Sequence, residues 1–217
     1  MEIILQDAGK RFNKEWIFKG LDLRFGSGKA YAVVGNNGSG KSTLLQCIAG
    51  ATNLSQGQCL WTENGFSEYT GSGEHIYKHF SFAAPYMDVI EEMTALEFLR
   101  FHHSFKPLLS QVSHIDLLKE VQLESAANKQ IRYYSSGMKQ RIRLAIAIFS
   151  ETPVLLLDEP CANLDQEGFE LYRHLIGKYA DGRLVIVCSN DPAEYAFFCQ
   201  ESIDIRMYKP TNKKAST

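Results

Sequence analysis

Two periods run through the chain. Leu21, Leu23 and Phe25 alternate with Asp22 and Arg24, which is the spacing of a strand with one face buried. Glu2 to about Leu5 and Trp16–Phe25 therefore read as antiparallel strands, with Lys10–Trp16 a basic, aromatic turn between them. Elsewhere the apolar residues are continuous. Ala30–Val34, Pro153–Leu157 and Leu184–Cys188 are short, β-branched or leucine-rich runs that predict strands buried on both faces. Gln58–Thr62, Phe80–Ala84 (stopped by Pro85) and Ile203–Met207 predict three more. Helical spacing follows the first buried run over Thr43–Ala49, with Gly50 as the stop. It returns at Leu96, Phe98 and Leu99, where Thr94 and Glu97 form a capping box. Ile115 to Leu123, Met138–Phe149 after Ser135, Asp165–Tyr179, and a segment from Asn190-Asp191-Pro192 through Phe198 predict the other helices. Asn64-Gly65 and Gly71–Gly73 mark a loop.

Buried strands alternating with helices predict an α/β fold with a mostly parallel sheet covered on both faces, plus an antiparallel β part from the first strands. The block from about 87 to 129 reads all-helical, and with the helix after Ser135 it predicts a helical subdomain inserted over about 87–150. The expected organisation is one domain over 1–217, ending in a polar tail at 209–217. Ligands of such a sheet lie beyond the carboxyl ends of its strands, and Ser42, Asp158 and Asn190 all follow strand ends.

Composition narrows the class. With 217 residues, 45% of them hydrophobic and 22% charged, the chain can bury a full core. A net charge of −2 gives no sign of a nucleic-acid partner. Five cysteines, without CxxC spacing, read as reduced thiols of a cytosolic protein. The first residues lack a basic start and a long apolar core, and no stretch approaches the ~18 apolar residues of a membrane span. Any membrane role is then expected to come through a partner. The six histidines show no metal-ligand spacing, and His102-His103 reads as helix surface.

The chemistry begins at Gly35-Asn36-Asn37-Gly38-Ser39-Gly40-Lys41-Ser42, followed by Thr43, which fits the phosphate-binding pattern GxxxxGK[ST] between a strand and a helix. Backbone N–H groups of this loop and the helix N-terminus suit an anion. Lys41 can reach the β- and γ-phosphates, and the Ser42 hydroxyl can ligate Mg²⁺. Asp158 ends an apolar strand, where a carboxylate can hold the same Mg²⁺ opposite Ser42. Glu159 beside it can orient or deprotonate a water attacking the γ-phosphorus, so the pair points to hydrolysis.

Further motifs carry a family resemblance over almost the whole chain. Tyr134-Ser135-Ser136-Gly137-Met138-Lys139-Gln140-Arg141 resembles the LSGGQ signature followed by a basic helix, Leu156–Pro160 resembles the Walker B strand with its glutamate, and Ala162-Asn163-Leu164-Asp165 resembles the D-loop. Ser135 precedes Asp158 by 23 residues, the short spacing of that family. The chain thus resembles the ATP-binding subunits of ABC transporters, which are P-loop NTPases. The resemblance implies two such subunits, alike or different, packed head to tail around two ATP molecules. Ser135, Ser136 and Gly137 of one would face the γ-phosphate on the P-loop of the other. It also implies separate transmembrane chains, a place on the cytoplasmic face of a membrane, no nucleic acid, and an aromatic under the adenine, for which Phe12 has the expected offset and Trp16 is the reserve.

The chain departs from that pattern at three places. Pro85 stands about where a glutamine touching Mg²⁺ is expected, Asn190 replaces the switch histidine, and Tyr134, Ser136 and Met138 replace Leu, Gly and Gln of the signature. An amide at Asn190 can donate a hydrogen bond to the γ-phosphate but cannot carry a charge. The expectation is slow hydrolysis by an exporter-like subunit. Two alternatives stand beside it: a soluble ATPase of the same family working on nucleic acid or ribosomes, and a weakly active subunit paired with a more active homologue.

Overall fold

In a computed structural model, which describes residues 1–63, 66–69 and 75–210, the strands form two sheets. One is antiparallel, in the order β2-β1-β4-β5: β1 Glu2–Phe12, β2 Glu15–Phe25, β4 Gln56–Glu63 and β5 Phe66–Tyr69. The other has five strands, all parallel, in the order β6-β7-β8-β3-β9. These are β3 Ala30–Val34, β6 Phe80–Ala83, β7 Val154–Asp158, β8 Leu184–Ser189 and β9 Glu201–Asp204. The helices are α1 Lys41–Ile48, α2 Ala95–Phe105, α3 His114–Glu120, α4 Ser136–Ile148 and α5 Gln166–Tyr179.

The pleat sorts β7 between two cores. Val154 and Leu156 pack with α1 and the antiparallel sheet, while Leu155 and Leu157 pack with α4, α5 and the other helices. That double burial explains why β3, β7 and β8 read as unbroken apolar runs. Helix starts are set locally. Thr94 caps α2 in the predicted box, Ser113 caps α3, Ser135 caps α4 and Asp165 caps α5.

The structure corrects several boundaries. The predicted turn at Lys10–Trp16 shrinks to Asn13-Lys14, because β1 runs on to Phe12 and β2 begins at Glu15. The β1–β2 ladder shifts register between Leu5 and Ala8, again before Lys10 and again before Arg11, and such irregularities break the period of two that the sequence was read by. A strand, β5, pairs with β4 in the region read as a loop. The loop marks at Asn64-Gly65 and Gly71–Gly73 lie outside the described residues, as does most of the tail. The segment after Asn190 is no α-helix: Asp191 caps a single 3-10 turn at Pro192–Glu194, and the chain continues in turns to Phe198. The last strand stops at Asp204, and Ile205–Tyr208 coil into a 3-10 turn. The stretch between β6 and α4 carries α2, α3 and two 3-10 turns with irregular chain between them, so it is less helical than its composition implied.

Candidate active site

β3, β7 and β8 lie side by side, with Val34 opposite Ser189 and Asp158 opposite Cys188, so the loops that follow them emerge together. β3 enters the glycine loop, and α1 leaves it. Gly35 and Gly40 have φ of +152° and +106°, and a Cβ at Gly40 would lie 2.5 Å from Ile17 Cγ2, so both conformation and space require glycine there. Gly40 stands at the start of α1 with no side-chain cap and no acidic residue in the first turn, which leaves the helix N-terminus open to an anion. The Ser39 Oγ is buried without a hydrogen-bond partner in the same loop.

Lys41 is only 4% exposed. Its Nζ donates to the Gly35 carbonyl at 2.9 Å and stands 3.3 Å from Glu159 Oε1. Sequence-distant charges are thus brought together: the loop lysine and the carboxylate next to Asp158. Glu159 has φ +43°, an uncommon conformation for a residue with a side chain, and its N–H donates to the Cys188 carbonyl at 2.8 Å. Asp158 is buried. Burial raises its pKa, against the pull of hydrogen bonds from Ser42 and Tyr86 and of the Lys41 charge. Its Oδ1 has no partner, so this buried carboxylate oxygen beside a hydroxyl fits a divalent cation.

Asn190 reaches the loop as well, its Nδ2 donating to Asn37 Oδ1 at 3.2 Å. Four residues on, Glu194 is buried with Oε2 unpartnered. Burial above all pushes its pKa up to about 7; a Ser189 hydrogen bond opposes this, and the Glu159 and Asp191 charges add to it. Phe12 ends β1 with half its surface exposed and the Lys10 ammonium 4.8 Å from the ring centroid, whereas Trp16 is more covered and flanked by Arg11 and Lys19.

Ser135, Ser136 and Gly137 are not joined to the P-loop within this chain. Ser135 accepts from the Met138 N–H at 3.2 Å, and the ideal Cβ position of Gly137 lies 3.1 Å from the Asn163 carbonyl. Together with Arg141, Leu164 and Asp165 they line a shallow groove that contains no P-loop residue.

Sequence reasoning missed four polar links. Tyr86 donates to Asp158 Oδ2 at 2.8 Å and accepts from Gln46 Nε2 at 3.2 Å. Gln140, fully buried on α4, donates to the Pro160 carbonyl at 2.8 Å. One turn along the same helix, Arg143 Nε donates to the Met87 carbonyl at 2.7 Å. The basic and amide residues after the signature were visible, but nothing local gave their partners.

The fold and the glycine loop place the chain among P-loop nucleotide-binding α/β proteins. A sequence model described as ABC transporter matches residues 18–162, and the chain belongs to that family, with the ATPase activity that goes with it. It is 29% identical over 210 residues to the cytochrome c biogenesis ATP-binding export protein CcmA of Saccharophagus degradans, covering 92% of this chain and 91% of that one. It is 34% identical over 189 residues to the sulfate/thiosulfate import ATP-binding protein CysA of Nitrosomonas europaea, covering 83% of this chain and 51% of that one. The fold matches the dimeric ATP-binding cassette MJ0796, bound to ADP and Pi after hydrolysis, with a TM-score of 0.79 at 24% identity over 94% of this chain and 95% of that one. Among the described residues no helix is long and apolar enough to cross a membrane.

Proposed function

We propose that the chain is the ATP-hydrolysing subunit of an ABC exporter, working on the cytoplasmic face of a membrane against separate transmembrane chains. The observation that carries this is the convergence of Lys41, Glu159 and the half-satisfied Asp158 at the mouth of one glycine loop. The export direction draws support from the CcmA likeness, which spans nearly all of both chains, whereas the CysA likeness covers half of that importer subunit. All of 1–217 serves as one ATP-binding domain, with the helical part at about 87–150 and a polar tail at 209–217.

In this reading the N–H groups of Gly35, Asn36, Asn37, Gly38, Ser39, Gly40, Lys41, Ser42 and Thr43 cradle the phosphates, and the Lys41 ammonium turns from the Gly35 carbonyl to the β- and γ-oxygens. Ser42 and Asp158 hold Mg²⁺, which when bound neutralises phosphate charge. Glu159, released from Lys41, accepts a proton from the water that attacks the γ-phosphorus as the bond to the ADP oxygen breaks. Asn190 donates from Nδ2 to the γ-phosphate, and Phe12 stacks on adenine. A stack of this kind contributes on the order of 1–3 kcal/mol, by analogy with other base–aromatic pairs. Ser135, Ser136 and Gly137 complete the site of a second subunit, a copy of this chain or a homologue, through the open N-terminus of α4.

Turnover is slow, because Pro85 offers no side-chain ligand and Asn190 cannot take up a charge. Glu159→Gln tests the assignment: hydrolysis falls at least ~100-fold, and the variant elutes as a dimer with ATP on size exclusion. An E159Q variant that stays monomeric in ATP, or a wild-type chain inactive when assembled with its membrane partner, refutes the reading.

A further inference from the structure

The two oxygens of Asp158 differ. Oδ2 accepts the Tyr86 proton at 2.8 Å, while Oδ1 is buried and bare. The direction of that proton is set from behind. Gln46 Nε2 can only donate, so its 3.2 Å bond occupies a lone pair of the Tyr86 oxygen and leaves the phenolic hydrogen for Asp158. The three residues come from α1, from the turn after β6 and from the end of β7, so a helix and a turn fix one carboxylate at a strand end.

We infer that Tyr86, backed by Gln46, is a positioning residue for the divalent cation: it pins Asp158 Oδ2 and thereby leaves the buried Oδ1 free for the ion. The inference rests on the nucleotide reading above. Partners of ligating carboxylates commonly carry a tenfold or larger share of metal affinity. A hydroxyl that merely sealed a buried acid would instead affect the fold and metal-free binding.

The test uses the full chain with Mn²⁺ as the probe, its binding to the protein–ATP complex followed by electron paramagnetic resonance, and ATP affinity measured separately in EDTA. Tyr86→Phe is expected to weaken Mn²⁺ binding about 10-fold with EDTA affinity for ATP unchanged. Gln46→Leu, which leaves the Tyr86 bond in place but unaimed, moves Mn²⁺ binding the same way by less. The double variant is no worse than Y86F, because both changes act through one bond. Mn²⁺ affinity in Y86F equal to that of wild type overturns the inference, as does a parallel loss of metal-free ATP binding. Failure of the wild-type chain to bind ATP at all refutes the nucleotide reading itself, which separates the two failures.

Discussion

At the P-loop end, Lys41 is buried and bonded to its own loop, Asp158 is fixed by Tyr86, and Asn190 already touches Asn37. At the other end of the candidate machinery, Ser135 and Ser136 are exposed in a groove closed only by the segment around Asn163. The first arrangement is held in place by the parallel sheet, whose strand ends set every distance. The second is a helix N-terminus whose own serine caps it and whose surroundings stop short. A site whose charges are already engaged needs only its nucleotide. A helix end that, among the described residues, meets only the segment around Asn163 leaves room for another surface.

That difference can be broken from either side. The largest effect is expected for Lys41→Ala. A charge-assisted bond to phosphate contributes roughly 2–3 kcal/mol, so ATP affinity falls about 30- to 150-fold in a monomer titration. A smaller effect belongs to the exposed end. Ser135→Ala removes the α4 cap at a cost of about 1 kcal/mol in denaturant unfolding. It leaves ATP binding by the single chain unchanged, so a loss of monomer affinity would mean that the two ends are already coupled without a partner. A further effect concerns Glu194 and is read from pH. Its folded pKa of about 7 lies above the usual carboxylate value of 4.5, so the folded chain holds the proton more tightly between those values. Stability from this group is present below about pH 4.5 and is lost as pH rises through 7. Glu194→Gln flattens that part of the stability–pH curve, and an unchanged slope would show that the carboxyl is hydrated.

What the sequence revealed was local. The P-loop and the Thr94 box are written within a few residues, and the continuous apolar runs marked the buried strands. The unseen parts depend on distance. Tyr86 and Asp158 are 72 residues apart, Arg143 and Met87 are 56 apart, and no periodicity encodes either bond. The extent of β1 was hidden for another reason: its register shifts scramble the alternation that would have announced it. Pro192 illustrates the opposite error, since a good first helical residue opened only a single 3-10 turn.

Helix α4 carries one further implication. Its N-terminus is the exposed serine end, its first turns grip the Pro160 carbonyl through Gln140, and its next turn grips the Met87 carbonyl through Arg143. An α-helix of 13 residues is a stiff rod about 20 Å long. Three stations are therefore bolted to one shaft: the surface that faces outward, the bend beside Glu159, and the bend that follows Tyr86. A push delivered at any of them is shared by the others without a relay of loops, so the chain can keep time between them even though no two are neighbours in sequence.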